Sequence, residues 1–381
     1  MLKNFLIVLL FLLLSFGASA KKAKEFSFED SAKKQKKSVK QQSLIKKSWS
    51  LSLKAGSPKK RYYPEISDPV EVAGVIYVGT QGGVFYAIDS ATGDKLWEYA
   101  VDAPVATRAT VADGRIYFLD LAGRLNALSL TGSLLWQRDL QKAVLNPPLA
   151  VGDRLYFLKG DKEIACLSSA TGDVLWTQAL PTFVKRLTVR GQATLVADAG
   201  QLLAALGDGQ LYGLDMNSGQ VKWSKNFAPP LKTFKDIDAD LVADADAYYV
   251  AGYFEQVQKV AKSTKATLWT LEVGAGVSPL LWQDKILVAD LHGDLNLYSK
   301  TDGLLTWKTE LAGSVLSSPV LFADHFFVTT HAGEVLVVEP STGDVVQKLA
   351  IAGGAITKPL VIQDRVVVLS GSGVLTAFVP K

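Results

Sequence analysis

The chain has 381 residues, of which 48% are hydrophobic and 20% are charged, and its formal net charge is +4. This composition supplies enough apolar residues for a large folded core and excludes a chain that is disordered throughout. Cys166 is the only cysteine, which excludes a disulfide within the chain and a metal site built from several cysteines.

The first 20 residues have the pattern of an export signal. Lys3 provides a positive start, FLIVLLFLLLSF is a short apolar run, and ASA ends at Ala20 as a small-residue cleavage site. A retained transmembrane anchor is the alternative, although the apolar run is short for a bilayer span. We therefore expect residues 1–20 to direct export and to be removed. No cysteine lies near the end of this segment, so no lipid-attachment site is seen.

Residues 21–44 form a basic arm with few large apolar side chains. Residues 21–61 contain 14 lysines and arginines and 3 acidic residues, an excess of +11. Of the net +4, this excess and the +1 of residues 1–20 leave −8 for residues 62–381. The arm's composition predicts disorder. It is a solvated linker or an electrostatic tether to anionic lipid, to which each lysine adds about 1 kcal/mol. Nucleic acid is a poor partner for a chain with an acidic body.

From residue 70 onward the sequence repeats at intervals of about 40 residues. Each copy ends in a segment such as AIDSATGDKLW, in which a Thr-Gly pair precedes a tryptophan. Stretches before it, such as GRIYFLD at 114–120, alternate apolar and polar residues with the period of a strand. Glycine suits the tight turn because it adopts a positive φ without strain. The final column of the repeat is occupied by Trp49, Trp97, Trp136, Trp176, Trp223, Trp269, Trp307 and Gln347.

Several short strands in each repeat predict an all-β fold, a β-propeller with one antiparallel four-stranded blade per repeat. We interpret the recurring tryptophan as packing between neighbouring blades, each indole burying about 150 Å² or more; stacking on a ligand is the alternative. The last repeat supplies three strands but no tryptophan strand, and the strand around Trp49 is the missing fourth. We therefore predict a single eight-bladed ring over residues 45–381, closed by the N-terminal strand so that no sheet edge stays open at the closure.

The spacing of the repeat marks two long crossings between blades. Starting from Trp97, successive markers lie 39, 40, 47, 46, 38 and 40 residues apart. The long intervals follow Trp176 and Trp223, in the connection from the outer strand of one blade to the inner strand of the next. Such crossings leave the same face of the ring, so two neighbouring ones form a shared surface suited to binding. The interval of 48 before Trp97 is a third such crossing or the entry of the arm.

The repeat AIDSATGDKLW resembles that of propellers of the pyrroloquinoline-quinone (PQQ) repeat type, which include quinoprotein dehydrogenases and non-enzymatic scaffolds. The length, the eight-bladed closure and the export signal resemble the BamB family, propeller subunits of the outer-membrane β-barrel assembly (BAM) machinery. The resemblance covers residues 45–381. It implies a non-catalytic periplasmic scaffold at the inner face of the outer membrane, without cofactor, whose partners are BamA and nascent β-barrel proteins. The alternative is a PQQ-dependent oxidoreductase.

Two segments in the long crossings resemble the BamA-binding elements of this family. LTVRG at 187–191 is similar to a Leu-Ser-Leu-Arg-Gly-like loop, and DID at 236–238 is similar to an Asp-Val-Asp element one blade later. The resemblance implies that the POTRA region of BamA contacts Leu187, Val189, Arg190, Asp236 and Asp238. The two aspartates pair with a cation of the partner or orient Arg190. Members of the family are typically lipoproteins, so the missing lipid-site cysteine departs from the pattern.

The sequence contains no catalytic or metal-binding motif that we recognise. Its three histidines lack the spacing of a zinc site, and no P-loop, dinucleotide-binding glycine run or G-x-S-x-G segment occurs. The acidic segment DIDADLVADADA at 236–247 has Leu241 and Ala247 where a calcium-binding loop needs glycine and glutamate. We therefore expect its aspartates to lie in a solvent-facing turn or to pair with cations. Cys166 shares a column with alanines and is expected to be a buried apolar filler.

Overall fold

The computed structural model describes most of the chain after residue 42. The described ranges are 43–53, 65–105, 107–141, 144, 146–159, 163–181, 195–229, 236–237, 239–253, 255–311 and 313–381. The predicted export signal and all but the last two residues of the predicted basic arm lie outside these ranges, so both stay predictions. Within the described ranges, no helix has the length and hydropathy needed to cross a membrane.

The described residues form 32 β-strands in eight antiparallel sheets of four strands each. Blades 1 to 4 contain β2 Val70–Val72, β3 Val75–Gly79, β4 Val84–Asp89, β5 Lys95–Ala100; β6 Thr110–Ala112, β7 Arg115–Leu119, β8 Arg124–Ser129, β9 Leu134–Asp139; β10 Leu149–Val151, β11 Arg154–Lys159, β12 Glu163–Ser168, β13 Val174–Ala179; β14 Val196–Asp198, β15 Gln201–Ala205, β16 Gln210–Asp215, β17 Val221–Asn226. Blades 5 to 8 contain β18 Val242–Ala243, β19 Ala247–Gly252, β20 Gln256–Ala261, β21 Thr267–Leu271; β22 Leu280–Trp282, β23 Lys285–Ala289, β24 Leu295–Ser299, β25 Leu305–Thr309; β26 Val320–Phe322, β27 His325–Thr329, β28 Glu334–Val338, β29 Val345–Ala350; β30 Leu360–Ile362, β31 Arg365–Leu369, β32 Val374–Pro380 and β1 Ile45–Ser52. The prediction of an eight-bladed propeller is confirmed.

Each blade follows the same local pattern, which blade 1 illustrates. Its second and third strands, β3 and β4, are buried because neighbouring blades cover both of their faces, whereas the outer strand β5 alternates between exposed and half-buried residues. The turn before β5 is fixed by Asp89, whose carboxylate accepts hydrogen bonds from the backbone N–H groups of Ala91 and Thr92. Gly93 follows with a φ of +80°, a conformation that favours glycine.

The hydrophobic core is divided among the junctions between blades. Eight buried clusters are present in the described chain, and each combines residues of two neighbouring blades. One of them joins the last blade to the first, because Leu369 and Leu375 of blade 8 pack with Ile76 and Ile88 of blade 1. The blades therefore form a closed ring in which every blade is stabilised by both neighbours.

Six junctions share what we call the Trp–glycine contact. The indole of one outer strand packs against the turn glycine of the next blade so closely that a Cβ atom added there would lie within 3.5 Å of an indole carbon. The pairs are Trp49–Gly93, Trp97–Gly132, Trp136–Gly172, Trp176–Gly219, Trp269–Gly303 and Trp307–Gly343. At five of these junctions the indole Nε1 also donates a hydrogen bond to a carbonyl of the same turn, at 2.9–3.2 Å. The contact supports the packing interpretation of the tryptophan column.

The closing blade is held by Gln347, which replaces tryptophan in blade 7. The two ends of the chain meet in blade 8, so no Thr-Gly turn is available there for an indole to pack against. Gln347 is buried instead against the start of β1. Its Oε1 accepts hydrogen bonds from the N–H groups of Leu44 and Ile45 at 2.8 and 2.9 Å, and its Nε2 donates to the carbonyl of Ile45 at 2.8 Å. This side chain thus forms hydrogen bonds with residues more than 300 positions away in the sequence.

The ring has two faces that differ in their connections. The turn face carries the turns between the first two and the last two strands of each blade, such as 73–74 and 90–94. The crossing face carries the turns between the second and third strands and the crossings from one blade to the next. Because all crossings leave from the same end of the outer strands, both long crossings belong to the crossing face.

Candidate functional site

The first long crossing joins β13 to β14 on the crossing face. Its central part, residues 182–194, lies outside the described residues, and so do three of the predicted contact residues, Leu187, Val189 and Arg190. Both ends of the crossing are anchored, because Leu180 and Leu195 are buried in the cluster between blades 3 and 4. The hydroxyl of Tyr212 in β16 donates a hydrogen bond to the carbonyl of Pro181 at 2.6 Å. The segment therefore starts and ends at fixed points of the propeller.

The second long crossing joins β17 to β18 and is anchored in the same manner. Phe227 is buried at its start, where its N–H donates to the carbonyl of Gly209 at 2.9 Å. The side-chain amide of Gln258 donates to the carbonyl of Phe227 at 3.1 Å. At the far end Ile237 is fully buried between blades 4 and 5. Buried apolar residues thus hold both ends of this crossing.

The two crossings come together on one turn of blade 4, which contains residues 206–209. Leu206 packs in the same buried cluster as Leu195 of the first crossing. Its carbonyl also accepts a hydrogen bond from the N–H of Ile237 in the second crossing, at 3.4 Å. The structure therefore places the ends of the two crossings beside a single turn, and the shared surface of the crossings themselves stays a prediction.

Asp236 lies deeper than the sequence indicates, whereas Asp238 is outside the described residues. The residue Asp236 has no exposed surface, and its carbonyl accepts a hydrogen bond from the N–H of Tyr253 at 3.0 Å. The expectation of a solvent-facing turn is wrong for Asp236, because its neighbour Ile237 carries the backbone into the junction between blades 4 and 5. A role in binding stays a prediction for both aspartates, and the burial of Asp236 favours an internal role in orienting the crossing.

Four charged residues near the inner strands form a second polar feature of the crossing face. Asp68, Arg108, Asp240 and Lys358 each stand two positions before the first residue of an inner strand. The N–H of Lys358 donates to a carboxylate oxygen of Asp68 at 2.7 Å. Burial raises the pKa of Asp68, while this hydrogen bond and the charge of Arg108 act in the opposite direction. We did not identify this set from the sequence, although its shared position relative to the inner strands was a usable signal.

Residues suited to catalysis are scattered in the described part of the chain. It contains no group of three or more His, Cys, Asp or Glu side chains that could hold a metal ion. Cys166 is a free, fully buried thiol in the cluster between blades 3 and 4, which confirms its role as an apolar filler. Burial raises the pKa of this thiol to about 11, so that it is protonated at neutral pH.

The family model and the curated relatives that match this chain all belong to one family. The model of the family described as "Outer membrane protein assembly factor BamB" matches residues 46–139, 117–290, 253–325 and 291–380. A curated BamB of Yersinia pestis is 24% identical over 244 residues, which cover 60% of this chain and 59% of that protein. A BamB of Nitrosomonas eutropha is 23% identical over 227 residues, covering 58% of this chain and 55% of that protein. The chain thus spans less than two thirds of the length of these relatives.

Solved structures agree with the fold. The crystal structure of BamB from Moraxella catarrhalis superimposes with a TM-score of 0.79 at 21% identity, covering 88% of this chain and all of that one. A quinohemoprotein alcohol dehydrogenase from Comamonas testosteroni gives a TM-score of 0.70 at 13% identity, over 88% of this chain and 76% of that one. At these identities the likenesses establish the propeller architecture.

Proposed function

The chain belongs to the family of the outer membrane protein assembly factor BamB, and we propose that it acts as a non-catalytic scaffold in the assembly of outer-membrane β-barrel proteins. The observation that carries the proposal is the family match along the whole ring, from residue 46 to residue 380. The scaffold works in the periplasm, at the inner face of the outer membrane. Its action is binding, because the ring is rigid and displays two long crossings on one turn.

The partner in this proposal is the POTRA region of BamA, bound on the crossing face. Arg190 is the central contact, flanked by the apolar side chains of Leu187 and Val189. An arginine among apolar residues is a frequent hot spot of protein interfaces, where its truncation weakens binding by about 2 kcal/mol or more. Asp236 is buried and orients the crossing from beneath, and Asp238 is available to a cation of the partner or to Arg190.

The test compares the binding of a purified BamA POTRA region to the wild-type protein and to Arg190→Ala by calorimetry. We expect Arg190→Ala to weaken binding about 30-fold, which corresponds to about 2 kcal/mol. Lys95→Ala is a matched control, because Lys95 is an exposed cation beside the turn face that pairs with the neighbouring Glu98. Equal binding by Arg190→Ala would refute the site, whereas absence of binding by the wild type would refute the partner.

Nascent β-barrel proteins are the proposed clients, and the outer strands are the surface that suits them. Each outer strand forms the edge of its sheet. In four blades the residue before the marker tryptophan is an exposed leucine, namely Leu96, Leu135, Leu175 and Leu268. An extended client segment adds to such an edge through backbone hydrogen bonds, while exposed leucines contact its apolar side chains. Amide exchange of the outer strands, slowed by an unfolded β-barrel client, is the expected signature; unchanged exchange would oppose this role.

The competing function is a PQQ-dependent oxidoreductase, favoured by the likeness in fold to the quinohemoprotein alcohol dehydrogenase. Addition of PQQ and calcium to the purified protein separates the two. An oxidoreductase gives a changed quinone spectrum and calcium-dependent oxidation of alcohols, and a scaffold gives neither.

The basic arm is proposed to contact anionic lipid. Sedimentation with anionic vesicles tests this contact by comparing low and high salt, and by comparing the full chain with a variant that lacks residues 21–44. Salt-sensitive binding that requires the arm supports the tether, because lysines attract anionic headgroups through screened electrostatics. Binding that is the same in both comparisons would contradict it.

A further inference from the structure

The junction between blades 4 and 5 departs from the Trp–glycine contact. Lys265 occupies the position of the turn glycine in blade 5: its N–H donates to the carbonyl of Ala261 at 3.0 Å, as that of Gly93 does to Asp89 at 2.9 Å in blade 1. The φ of Lys265 is +61°, a conformation that costs a non-glycine residue about 1 kcal/mol or more. A strained backbone conformation persists where the surrounding structure stabilises it, and such positions are often found at functional sites.

The tryptophan of blade 4 is turned away from this lysine. The Nε1 of Trp223 donates to Oε1 of Gln201 in its own blade at 2.8 Å, whereas five other marker tryptophans donate to the following blade. Room for the turned indole is provided by Gly213, where an added Cβ atom would lie 2.2 Å from indole atoms of Trp223. The strand position opposite the marker carries a larger side chain in the other blades, among them Ala87, Ala127, Cys166 and Leu297. Lysine, glycine and glutamine thus act together at this one junction.

A surface cleft of about 380 Å³ is present where the indole has turned away. It lies on the turn face between blades 4 and 5, and its lining includes Asp198, Gln201, Asp246, Tyr248, Lys262 and Lys265. This volume lies within the range of sites for small molecules. The cleft is on the face opposite the long crossings, so the proposed BamA contact does not use it.

The inner part of the cleft contains two cations and one neutralised carboxylate. Asp198 accepts hydrogen bonds from the hydroxyl of Tyr248 at 2.6 Å and from Nζ of Lys262 at 3.0 Å. Nζ of Lys265 lies 4.5 Å from the ring centre of Trp223 and 5.3 Å from that of Tyr248, and donates to the carbonyl of Lys262. No described carboxylate lies within ion-pair distance of Lys265.

Lys265 is therefore a cation of the cleft without an ion-pair partner among the described carboxylates. Burial lowers the pKa of Lys265, and repulsion by Lys262 adds to this effect against the attraction of Asp198. Asp246 is also in the lining but is exposed to solvent, where its charge is screened. An anionic group placed beside Lys265 would give this ammonium group an ion-pair partner.

We propose that this cleft is a binding site for a small organic carboxylate, whose carboxylate group contacts the ammonium groups of Lys265 and Lys262. The ring of Tyr248, which lines the cleft, contacts the apolar part of the ligand. A carboxylate supplies the ion-pair partner that Lys265 lacks, and both ammonium groups are already held over aromatic rings. This site goes beyond the proposed scaffold role and does not depend on it.

Lysine acetylation of the full chain, followed residue by residue with mass spectrometry, tests the proposal. The probe is N-acetylglycine, and the neutral N-acetylglycinamide is its matched control ligand. We expect N-acetylglycine at millimolar concentration to slow the acetylation of Lys265 in a saturable manner, and the amide to have no such effect. Lys222 is an internal control, because it lies in the same blade as Trp223 and pairs with Asp215 outside the cleft. Equal protection by both ligands, or equal protection of Lys222, would overturn the proposal.

Two variants measured by calorimetry complete the test. Lys265→Gly restores the turn residue of the other blades, and Lys265→Asn keeps a residue that tolerates a positive φ. Both should fold, and both should bind N-acetylglycine at least about tenfold more weakly than the wild type. Lys222→Ala should bind as the wild type does. Undiminished binding by either Lys265 variant would refute the site, and preferential binding of inorganic phosphate would refute its assignment to carboxylates.

Discussion

Replacement of Gln347 by alanine should open the ring at its closing blade. The side chain is 5% exposed and makes three hydrogen bonds to the backbone of Leu44 and Ile45, at the start of β1. Gln347→Ala removes all three and leaves the buried N–H of Ile45 without this partner. The strand β1 also pairs along its length with β32, so we expect its first residues to fray while the remaining blades stay folded.

The size of this effect follows from the number of bonds. A hydrogen bond within a protein contributes about 1 kcal/mol net, so three of them contribute about 3 kcal/mol. For a ring of residues 45–381 the entropy of unfolding near 60 °C is about 0.7 kcal/mol per kelvin, and the melting temperature should fall by about 4 °C. Gln347→Trp should not restore stability, because blade 8 offers no turn glycine for the indole.

Differential scanning calorimetry and amide exchange of residues 45–52 measure the two consequences. Gln178→Ala is a suitable control, because Gln178 lies in an outer strand and makes one exposed hydrogen bond to the carbonyl of Ala179. We expect this control to melt within about 1 °C of the wild type, as surface substitutions usually do. If Gln347→Ala melted as the control does and the exchange of β1 were unchanged, the closing role of Gln347 would be wrong.

Three further predictions concern single residues. Gly132→Ala places a Cβ atom 2.8 Å from an indole carbon of Trp97 and should lower the free energy of unfolding in urea by about 3 kcal/mol. The control is Gly74→Ala, which has a similar φ but nothing within 4 Å of the added Cβ atom and should lose about 1 kcal/mol. Equal losses would argue against the Trp–glycine contact. Burial raises the pKa of Glu65 from 4.5 to about 7, so its folded form holds the proton more tightly and stability falls as pH rises between these values. In urea unfolding, the wild type should lose about 3 kcal/mol of stability over this pH range, and Glu65→Gln should not. If the stabilities of the two proteins depended on pH in the same way, burial of Glu65 would not be the cause. Cys166 should react with a thiol reagent at pH 8 far more slowly in the native than in the urea-unfolded chain, and similar rates would contradict its burial.

The ring could be predicted from the sequence because its stabilising contacts repeat. The Thr-Gly turn and the tryptophan recur in one column, and both take part in the same contact between blades. The strand around Trp49 could be assigned to the last blade because that blade was one strand short. The turn residues and the alternation of apolar and polar residues are visible in each repeat. The number of blades and the closure of the ring could therefore be predicted by counting the repeats and their strands.

The exceptions to the repeat were visible in the sequence, but their consequences were not. Gln347 stands where the other repeats have tryptophan, and its bonds to Ile45 depend on a neighbour that is distant in the chain. Lys265 replaces a turn glycine, yet the cleft follows only when Trp223 turns onto Gly213. These outcomes are set by packing in three dimensions, which a single repeat does not contain.

Asp236 shows a different limit of prediction from sequence. The alternation of aspartates at 236–247 predicts a polar, exposed turn, although apolar residues lie between them. Ile237 is fully buried, and it determines the depth of the backbone on either side. One well-packed apolar residue can therefore bury an adjacent acid that hydropathy alone places at the surface.

The pairing of β1 with β32 has a consequence for the order in which the protein is made. The strand β1 has no partner until β32 has been synthesised, so blade 8 is completed only after the seven other blades have been made. A chain that ends before β32 leaves β1 without its partner strand and the buried clusters on both sides of blade 8 incomplete. Such a product exposes apolar residues that proteases and chaperones recognise. Synthesis of β32 is therefore the step that allows the ring to close.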